Sequence, residues 1–458
     1  MQAGRLPSPG GHAWLVTAAG VLTLTGGVLG AGDLAVLMFL AIQSVNMLFF
    51  VRHLAFVAAT TRRSTLGGPG AHTMARYWPS VTVLVPCHNE EAVVVAMVSA
   101  LGRLDYPRHR LQIICVEDGS SDRTGELLDD HAAGTGITVL HRPPGQGGGK
   151  SGALNFALTR ARGEVVIVFD ADHRPHPGVV WRLARHFADP EVGAVQGLCR
   201  IHNGSASPIA RLVEIDYLAG YLVNESGRHL IYRLPAYGGA NCAVRRDLLS
   251  SAGGWNEDTV TEDTDLTLRL ALRGYQVRYD ATAIDEEEAV TTLRHYWRQR
   301  YRWARGHQQA WRDFRSAVWR NRRMSFTGKL ETTMFLLVFH TPVMAGLGAL
   351  LLLLWTLGAV RIDPAFDSYM FAFWTLLFLG PFLELGSGLL LSLQTRRNVG
   401  ILVFFVPMFF VGVALCTKAW IDGLFRRRYT WVKTARSVPG APGSPSSVVA
   451  ADSSAAAG

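Results

Sequence analysis

The chain has 458 residues, enough for one sizeable globular domain with further segments around it. Only 18% of the residues are charged, and much of the apolar content is concentrated in dense blocks near the two ends. The net charge of +9 could indicate nucleic-acid binding, but basic residues cluster beside those blocks, at 62–63, 320–323, 396–397 and 426–428. Because basic residues flank membrane spans on the cytoplasmic side, this distribution argues against nucleic acid and predicts a lipid bilayer as partner.

Dense apolar blocks are candidates for membrane spans, which need about 20 consecutive apolar residues. Two blocks open the chain and three close it, at residues 13–30, 34–57, 332–360, 369–393 and 400–420. A signal peptide is the alternative for the first block, although no clear cleavage site follows it. Three closing spans would leave the last basic cluster outside the cell. Either one block is therefore interfacial or re-entrant, or the third breaks near Pro342 and begins with an in-plane segment.

These blocks predict a multi-pass protein of the plasma membrane. Transmembrane helices are expected over residues 1–60 and 331–425, with a cytoplasmic domain between them. The segment 437–458 is rich in Ala, Pro, Gly and Ser, which predicts a disordered tail. The five cysteines are odd in number, scattered and without metal-type spacing, so we expect reduced thiols.

Strands and helices alternate through the first half of the cytoplasmic domain. Apolar, β-branched runs predict buried strands at residues 80–86, 111–116, 137–141 and 165–169. Helical stretches follow the first three strands, ending near residues 103, 131 and 160. Continuous apolar strands that alternate with helices indicate a parallel sheet covered on both faces. Such sheets bind ligands at the carboxyl ends of their strands, where this sequence has its polar clusters.

The cluster Asp170-Ala171-Asp172-His173 directly follows the fourth predicted strand. Two carboxylates at this spacing can share a hard divalent cation, and oxygen ligands suit Mg²⁺ or Mn²⁺, which also bridge diphosphates. An acidic turn that caps the next helix is the structural alternative. Asp118, at a neighbouring strand end, can accept hydrogen bonds from a ribose or a base, or it can belong to an ordinary Asp-Gly turn.

A glycine-rich turn over residues 145–149 leads into Lys150 and a predicted helix. The turn is not a P-loop, since the first glycine of that motif would fall on Pro144. A glycine-rich turn at a helix N-terminus can still hold an anion. We therefore expect Lys150 near a diphosphate, with a flexible connector as the alternative.

The motif Thr261-Glu262-Asp263 precedes a helix predicted over residues 264–273. Asp263 has the chemistry of a general base that deprotonates an acceptor hydroxyl. The alternative is an acidic first turn that only stabilises the helix through its macrodipole.

Gln299, Arg302 and Trp303 share one face of a helix because their spacings are three and four residues. Arg302 can neutralise a departing diphosphate, Gln299 can hydrogen-bond it, and Trp303 can pack on a sugar ring. A cationic interfacial helix with a tryptophan anchor is the alternative.

In this order and spacing, the motifs resemble those of the processive, membrane-bound family-2 glycosyltransferases. The resemblance is strongest to poly-β-1,6-N-acetylglucosamine synthases and includes chitin, hyaluronan and cellulose synthases; it extends from about Val81 to Gly306. It implies an α/β catalytic domain of the Rossmann-like GT-A type over residues 75–290, cytoplasmic, with α-helical transmembrane segments on both sides. Interfacial helices that carry the Gln-x-x-Arg-Trp motif are implied over residues 291–330.

The resemblance also implies roles for individual residues. Those expected to bind the substrates are Pro86, His88, Glu90, Asp118, Lys150, Asp170, Asn241, Cys242, Glu262 and Trp303. The implied metal ligands are Asp170, Asp172 and His173, for Mg²⁺ or Mn²⁺. The implied catalytic residues are Asp263 as the base, with Gln299 and Arg302 at the leaving group.

The function implied is transfer of a sugar from a UDP-sugar, UDP-N-acetylglucosamine or UDP-glucose, to a growing β-linked polysaccharide. Because there is one base and no protein nucleophile, the expected reaction is a single, inverting displacement. Export of the product is expected, and an accessory membrane or export protein is a possible partner.

Two alternatives are a non-processive transferase that adds a sugar to a lipid-linked acceptor, and a non-catalytic glycan-export channel or scaffold. The Gln-x-x-Arg-Trp motif favours polymerisation over the first alternative. The coexistence of Asp170, Asp172 and Asp263 argues against the second.

Overall fold

The computed structural model describes residues 31–66, 77–359, 367–394 and 398–425. The first apolar block, at 13–30, and the tail at 437–458 lie outside these described residues. An eight-stranded sheet forms the centre of the domain, with strands β1 (Val81–Cys87), β2 (Leu111–Glu117), β3 (Ile137–His141), β4 (Val165–Val168), β5 (Arg174–Pro175), β6 (Val192–Ile201), β7 (Cys242–Arg245) and β8 (Gln276–Glu287).

The strand order in the sheet is β3-β2-β1-β4-β7-β6-β8-β5. The first four strands are all parallel, which confirms the prediction for the first half of the sheet. Strand β7 runs antiparallel to both β4 and β6, and β5 runs antiparallel to β8, so the whole sheet is mixed. A wholly parallel sheet was therefore wrong for the second half. The predicted strands all came from the first half, where strands and helices alternate regularly, so they carried no information on the direction of β6, β7 and β8.

Alternation along the strands gives the domain two cores, one on each face of the sheet. Val83 and Ile113 pack with one cluster, and their neighbours Leu84 and Ile114 pack with the opposite one. All four side chains are at most 4% exposed. Full burial of such a side chain contributes about 1.5–3 kcal/mol to the free energy of unfolding, so both faces stabilise the sheet whose strand ends carry the polar clusters.

The helices are α1 (Ala31–Leu66), α2 (Val94–Gly102), α3 (Thr124–Ala132), α4 (Gly149–Leu158), α5 (Val179–Ala184), α6 (Pro208–Ala219), α7 (Ser226–Tyr232), α8 (Arg246–Ser251), α9 (Glu262–Leu272), α10 (Leu293–Arg320), α11 (Phe326–Leu337), α12 (Thr341–Thr356), α13 (Asp367–Leu391) and α14 (Phe405–Leu424). A π-helical turn, Gly220–Glu225, joins α6 to α7. Helix α10 packs against α9, α11 and α14, and α1 packs against α13 and α7. These contacts join the sheet domain to the apolar helices.

By length and composition, two helical segments of the described chain could cross a membrane, Asp33–Arg62 and Val399–Leu424. Helices α11 and α12 would make a third if they count as one span, although they bend by 66° at the break between them. Pro342 lies in the first turn of α12. The helix break near Pro342, which was one of the two explanations for the position of the last basic cluster, is therefore present. Spans on both sides of a cytoplasmic domain stay a prediction.

Candidate active site

A cavity of about 590 Å³ lies between the end of β4 and the starts of α9 and α10, and it extends to α1, α13 and α14. Residues from four distant segments meet on its wall. Among the predicted site residues, those that line it are Lys150, Asp170, Asp172, His173, Glu262, Asp263, Gln299, Arg302 and Trp303. Four of the sequence motifs, those around Lys150, Asp170, Asp263 and Arg302, therefore converge on one volume.

The acidic motif after β4 forms the floor of this cavity. One potential ligand atom each of Asp170, Asp172 and His173 lies within 4.8 Å of the others. The two carboxylates fit a hard divalent cation, which prefers oxygen ligands. Asp172 is only 7% exposed and lines the cavity, so a cation bound there would offset the cost of burying its carboxylate.

His173 fits a metal less well than the two aspartates. Its Nδ1 contacts the Asp285 carboxylate, and its Nε2 lies 3.1 Å from Oε2 of Glu287. Burial alone would lower the pKa of His173, but these two carboxylates raise it well above its ordinary value. An imidazolium has no free lone pair for a metal. His173 would have to give up one carboxylate to become a ligand, and its role as a ligand stays a prediction.

Lys150 links the acidic motif to the glycine-rich segment before β7. Its Nζ lies 2.6 Å from Oδ1 of Asp170 and 3.7 Å from Oε1 of Glu262, and it donates a 3.0 Å hydrogen bond to Gly239 O. Burial works to lower the pKa of Lys150, but Asp170 and Glu262 raise it above the usual range. The ammonium group is therefore a permanent cation beside the predicted metal ligands.

The predicted nucleotide residues form a second cluster, at the carboxyl ends of β1, β2 and β3, outside the lining of the cavity. His88 Nδ1 lies 2.8 Å from Asp118 O. Nη1 of Arg142 donates a 2.6 Å hydrogen bond to Oδ1 of Asp118, and its Nη2 donates to Gly147 O at 2.5 Å. Arg142 therefore ties the Asp118 turn to the glycine-rich turn.

Sequence analysis missed Arg142. The available signal was its position directly after β3, at the same sheet edge as Asp118. Pro86, inside β1, and Glu90, whose N–H donates to Thr124 Oγ1 at 2.6 Å, also lie at this edge. Their binding of the nucleotide stays a prediction. Gly119 has a φ of +64°, and a Cβ there would lie 2.9 Å from Pro144 Cα, so the turn needs a glycine to approach the loop so closely.

Asp263 lies in the first turn of α9, which begins two residues earlier than predicted. The N–H of Thr264 donates to its Oδ1 at 2.6 Å. Burial, followed by the neighbouring Glu262 carboxylate, raises the pKa of Asp263 to about 6, against the opposing effects of Lys150 and Arg302. A carboxylate with a pKa just below neutrality is suited to general-base chemistry.

The Gln-x-x-Arg-Trp motif lies on α10, and all three of its specified side chains line the cavity. The Gln299 Oε1 atom is buried and has no hydrogen-bond partner in the described structure. The Arg300 guanidinium lies 4.4 Å from the Trp303 ring centroid and 2.5 Å from Oδ2 of Asp216. Arg300, which sequence analysis did not assign, thus holds the indole in place.

The prediction that Asn241 and Cys242 bind substrate needs correction. Both are fully buried at the start of β7, and neither lines the cavity. The Asn241 amide donates to Leu198 O at 3.1 Å and Ala283 O at 2.9 Å, and its backbone is left-handed, with a φ of 48°. Hydrogen bonding to the sheet thus withdraws the side chain and leaves Gly238 and Ala240 on the cavity wall.

The sheet and the acidic motif after β4 define a GT-A glycosyltransferase fold. A mannosyltransferase from Pyrobaculum calidifontis, solved in complex with GDP-Man and Mn²⁺, matches this fold with a TM-score of 0.58. The match covers 84% of this chain and 100% of that chain at 21% sequence identity. Residues 79–306 also match the family described as glycosyltransferase like family 2, so the chain contains a glycosyltransferase family 2 domain.

The names of curated relatives of this chain describe different products. A probable glycosyltransferase of Bacillus subtilis is 37% identical over 50% of this chain and 56% of its own length. A beta-monoglucosyldiacylglycerol synthase of Synechocystis sp. is 36% identical over 61% of this chain and 58% of its own length. A poly-beta-1,6-N-acetyl-D-glucosamine synthase of Staphylococcus aureus is 30% identical over 52% of this chain and 57% of its own length. The resemblance to family 2 is confirmed, and the chain spans little more than half the length of these relatives.

Proposed function

We propose that the protein transfers a sugar, with inversion, from a UDP-sugar to a hydroxyl group of an acceptor held at a membrane. The observation that carries this proposal is the meeting of Lys150, Asp170, Asp263 and Arg302 on one cavity. Cations beside a carboxylate with a near-neutral pKa suit a reaction in which a diphosphate leaves while a hydroxyl loses its proton.

The donor would bind across the carboxyl edge of the sheet. Asp118, fixed by Arg142, would contact the nucleoside, and Asp170 and Asp172 would hold Mg²⁺ or Mn²⁺. A bound cation would neutralise charge on the diphosphate. Lys150 and Arg302 would stabilise the same charge as it builds up on the leaving UDP, and this preorganised electrostatic effect is commonly the largest contribution to catalysis.

The acceptor hydroxyl would give its proton to Asp263. The oxygen of the acceptor would then form a bond to the anomeric carbon of the donor sugar, while the bond from that carbon to the diphosphate oxygen breaks. A single displacement of this kind converts an α-linked donor into a β-linked product. Glu262 would stay close to Lys150, at 3.7 Å, and help to orient the donor.

Two acceptor classes fit this chemistry, a growing glycan and a membrane lipid. The Gln-x-x-Arg-Trp motif supports the first, and the names of relatives include a polysaccharide synthase and a glucosyldiacylglycerol synthase. Catalysis would take place at the cytoplasmic face of the plasma membrane. A polymeric product would then be exported.

The test is incubation of the purified full-length protein with UDP-glucose, UDP-N-acetylglucosamine or GDP-mannose and Mg²⁺ or Mn²⁺. We expect nucleotide release with a UDP-sugar, abolished by EDTA and by Asp172→Ala. The control is Asp130→Ala, an exposed carboxylate on α3 that does not line the cavity. Activity that survives exhaustive EDTA treatment would remove the metal from the mechanism, and no nucleotide release under any condition would favour a non-catalytic scaffold.

A further inference from the structure

One cysteine of the chain faces the cavity. All five cysteines lie in the described parts of the chain, and of these only Cys199 is in the cavity lining. Cys199 lies on β6, and its register partner on the parallel strand β8 is Asp285. The sheet therefore brings a thiol and a carboxylate from distant positions together, which no spacing in the sequence could indicate.

His173 completes a cluster of three potential metal ligands with these two side chains. It stands directly before β5, which pairs antiparallel with β8. One potential ligand atom each of His173, Cys199 and Asp285 lies within 4.8 Å of the others, and all three residues are at most 3% exposed. Zn²⁺ bonds of about 2.0–2.3 Å put tetrahedral donor atoms about 3.3–3.8 Å apart, so small side-chain movements would close the set around one ion.

The kinds of donor atom distinguish this cluster from the acidic motif after β4. Asp170 and Asp172 offer oxygen, which hard ions prefer, whereas thiolate and imidazole prefer softer ions such as Zn²⁺. Two clusters of different ligand chemistry thus share His173. Zn²⁺ with three protein ligands keeps a fourth position, which here would open to the cavity that Cys199 lines.

The surroundings of His173 fit an ion in this cluster better than one in the acidic motif. Its Nδ1 contacts Asp285, and its Nε2 lies 3.1 Å from Oε2 of Glu287. A histidine that binds a metal through one ring nitrogen normally donates its other N–H to a carboxylate. With the ion at Nδ1, Asp285 becomes a ligand and Glu287 keeps its hydrogen bond, so His173 gives up neither carboxylate.

The charge balance of the cluster also permits such an exchange. The ion would replace the imidazolium proton on Nδ1 of His173 and the thiol proton of Cys199. Both protons leave as the dication enters, so the net charge of the buried cluster does not change. Because an unpaired buried charge is costly, an exchange that adds no charge is favoured over one that does.

We propose that His173, Cys199 and Asp285 form a second metal site, selective for Zn²⁺ over Mg²⁺ and Mn²⁺. Glu287 orients the histidine of this site. Zn²⁺ bound there takes His173 away from the acidic motif and places a second dication beside it. Because like charges at close range repel, Zn²⁺ inhibits the use of Mg²⁺ or Mn²⁺ at the acidic motif. The metal site goes beyond the proposed function, and only its inhibitory effect rests on that function.

Co²⁺ is the spectroscopic probe for the site, because it replaces Zn²⁺ and its bond to a thiolate gives a charge-transfer absorption band. The reduced full-length protein, without a histidine tag, is titrated with Co²⁺ in the absence of nucleotide and then with Zn²⁺. We expect this band together with the intense visible bands of tetrahedral Co²⁺, and equimolar Zn²⁺ should remove both. No thiolate band, or a band that Mg²⁺ removes as readily as Zn²⁺, would overturn the proposal.

Three variants locate the ion. Cys199→Ala and Cys115→Ala are a matched pair, since both thiols are buried and only Cys199 lines the cavity. The thiolate band should vanish in Cys199→Ala and persist in Cys115→Ala. Glu287→Gln should keep the band at saturating Co²⁺ but weaken Zn²⁺ binding by about 10–100-fold. A band that persists in Cys199→Ala, or an unchanged Zn²⁺ affinity in folded Glu287→Gln protein, would contradict the site.

UDP release measures the inhibitory effect. With a UDP-sugar and saturating Mg²⁺, Zn²⁺ should inhibit the wild-type protein, whereas Cys199→Ala should keep its turnover and lose the inhibition. Equal inhibition of the two proteins would place Zn²⁺ at the Mg²⁺ site itself and overturn the inhibitory role of the cluster. If neither protein releases UDP, the proposed function and the inhibition fail together, and the cobalt spectrum still decides whether the metal site exists.

Discussion

The two ends of the cavity use ionised side chains in different ways. At the catalytic end the ion pair of Lys150 with Asp170 is partly open, with side-chain exposures of 25% and 33%. The other end borders the apolar helices, and we call it the membrane end. The side chains of Arg52, Arg228 and Glu331 there are at most 8% exposed, and both arginines pair with Glu331. Charges that are partly open to the cavity are available for chemistry, whereas ion pairs that are almost fully buried between helices hold those helices together.

The strongest test of this contrast is Asp263→Asn at the catalytic end. The amide keeps the shape of the side chain but cannot accept the proton of the acceptor hydroxyl. Since a positioned general base contributes about 10²–10⁴-fold, kcat should fall by that factor while UDP affinity persists. UDP release, UDP binding and thermal unfolding are measured on the same preparation.

The matched control for that variant is Asp258→Asn, an exposed carboxylate outside the cavity lining, which should leave kcat unchanged. If the folded Asp263→Asn protein turned over at the wild-type rate, Asp263 would not be the base. Glu262 and Asp265, in the same helical turn, would then be the residues to test.

At the membrane end, Glu331→Ala should act on stability. The substitution leaves Arg52 and Arg228 buried without their shared carboxylate, which typically costs about 3–5 kcal/mol in the free energy of unfolding. Denaturant unfolding in detergent measures this loss. Glu126→Ala, which breaks a fully exposed ion pair, should change stability little. Equal effects of the two variants would contradict a structural role for the buried ion pairs of Glu331.

The same contrast explains how much the sequence could predict. Asp170 and Asp172 follow a strand, and Asp263 begins a helix, so a local pattern was enough to predict that they lie at the candidate site. Arg52 and Glu331 are 279 positions apart, and nothing in either neighbourhood indicates the other. Asn241 was misplaced for a related reason, because its side chain is withdrawn by strands that no local pattern predicted.

A smaller effect is expected for Arg142→Gln at the nucleotide edge. The neutral side chain removes the charge-assisted bond to Asp118 and the tie to Gly147. Hydrogen bonds to charged groups contribute about 1.5–3 kcal/mol, so UDP affinity should fall roughly tenfold or more. At saturating donor, kcat should change little, because Arg142 does not line the cavity. Calorimetry with UDP and metal gives the affinity; a fall in kcat with unchanged affinity would assign Arg142 to the chemistry instead.

Near neutral pH, the smallest expected effect is the pH dependence of kcat. Because burial and Glu262 raise the pKa of Asp263 to about 6, this carboxyl becomes protonated, and inactive as a base, closer to neutrality than an ordinary aspartic acid near 3.9. With donor, acceptor and metal saturating, kcat should fall by about half from pH 7 to pH 6 and by roughly tenfold per unit below pH 5.

Glu262→Gln removes a neighbouring negative charge, so it should lower the pKa of Asp263 and move the acid limb to lower pH. Arg302→Gln removes a positive charge and should move it to higher pH. Opposite shifts would identify the titrating group as Asp263, whereas an acid limb that neither variant moves would place the essential proton on another residue.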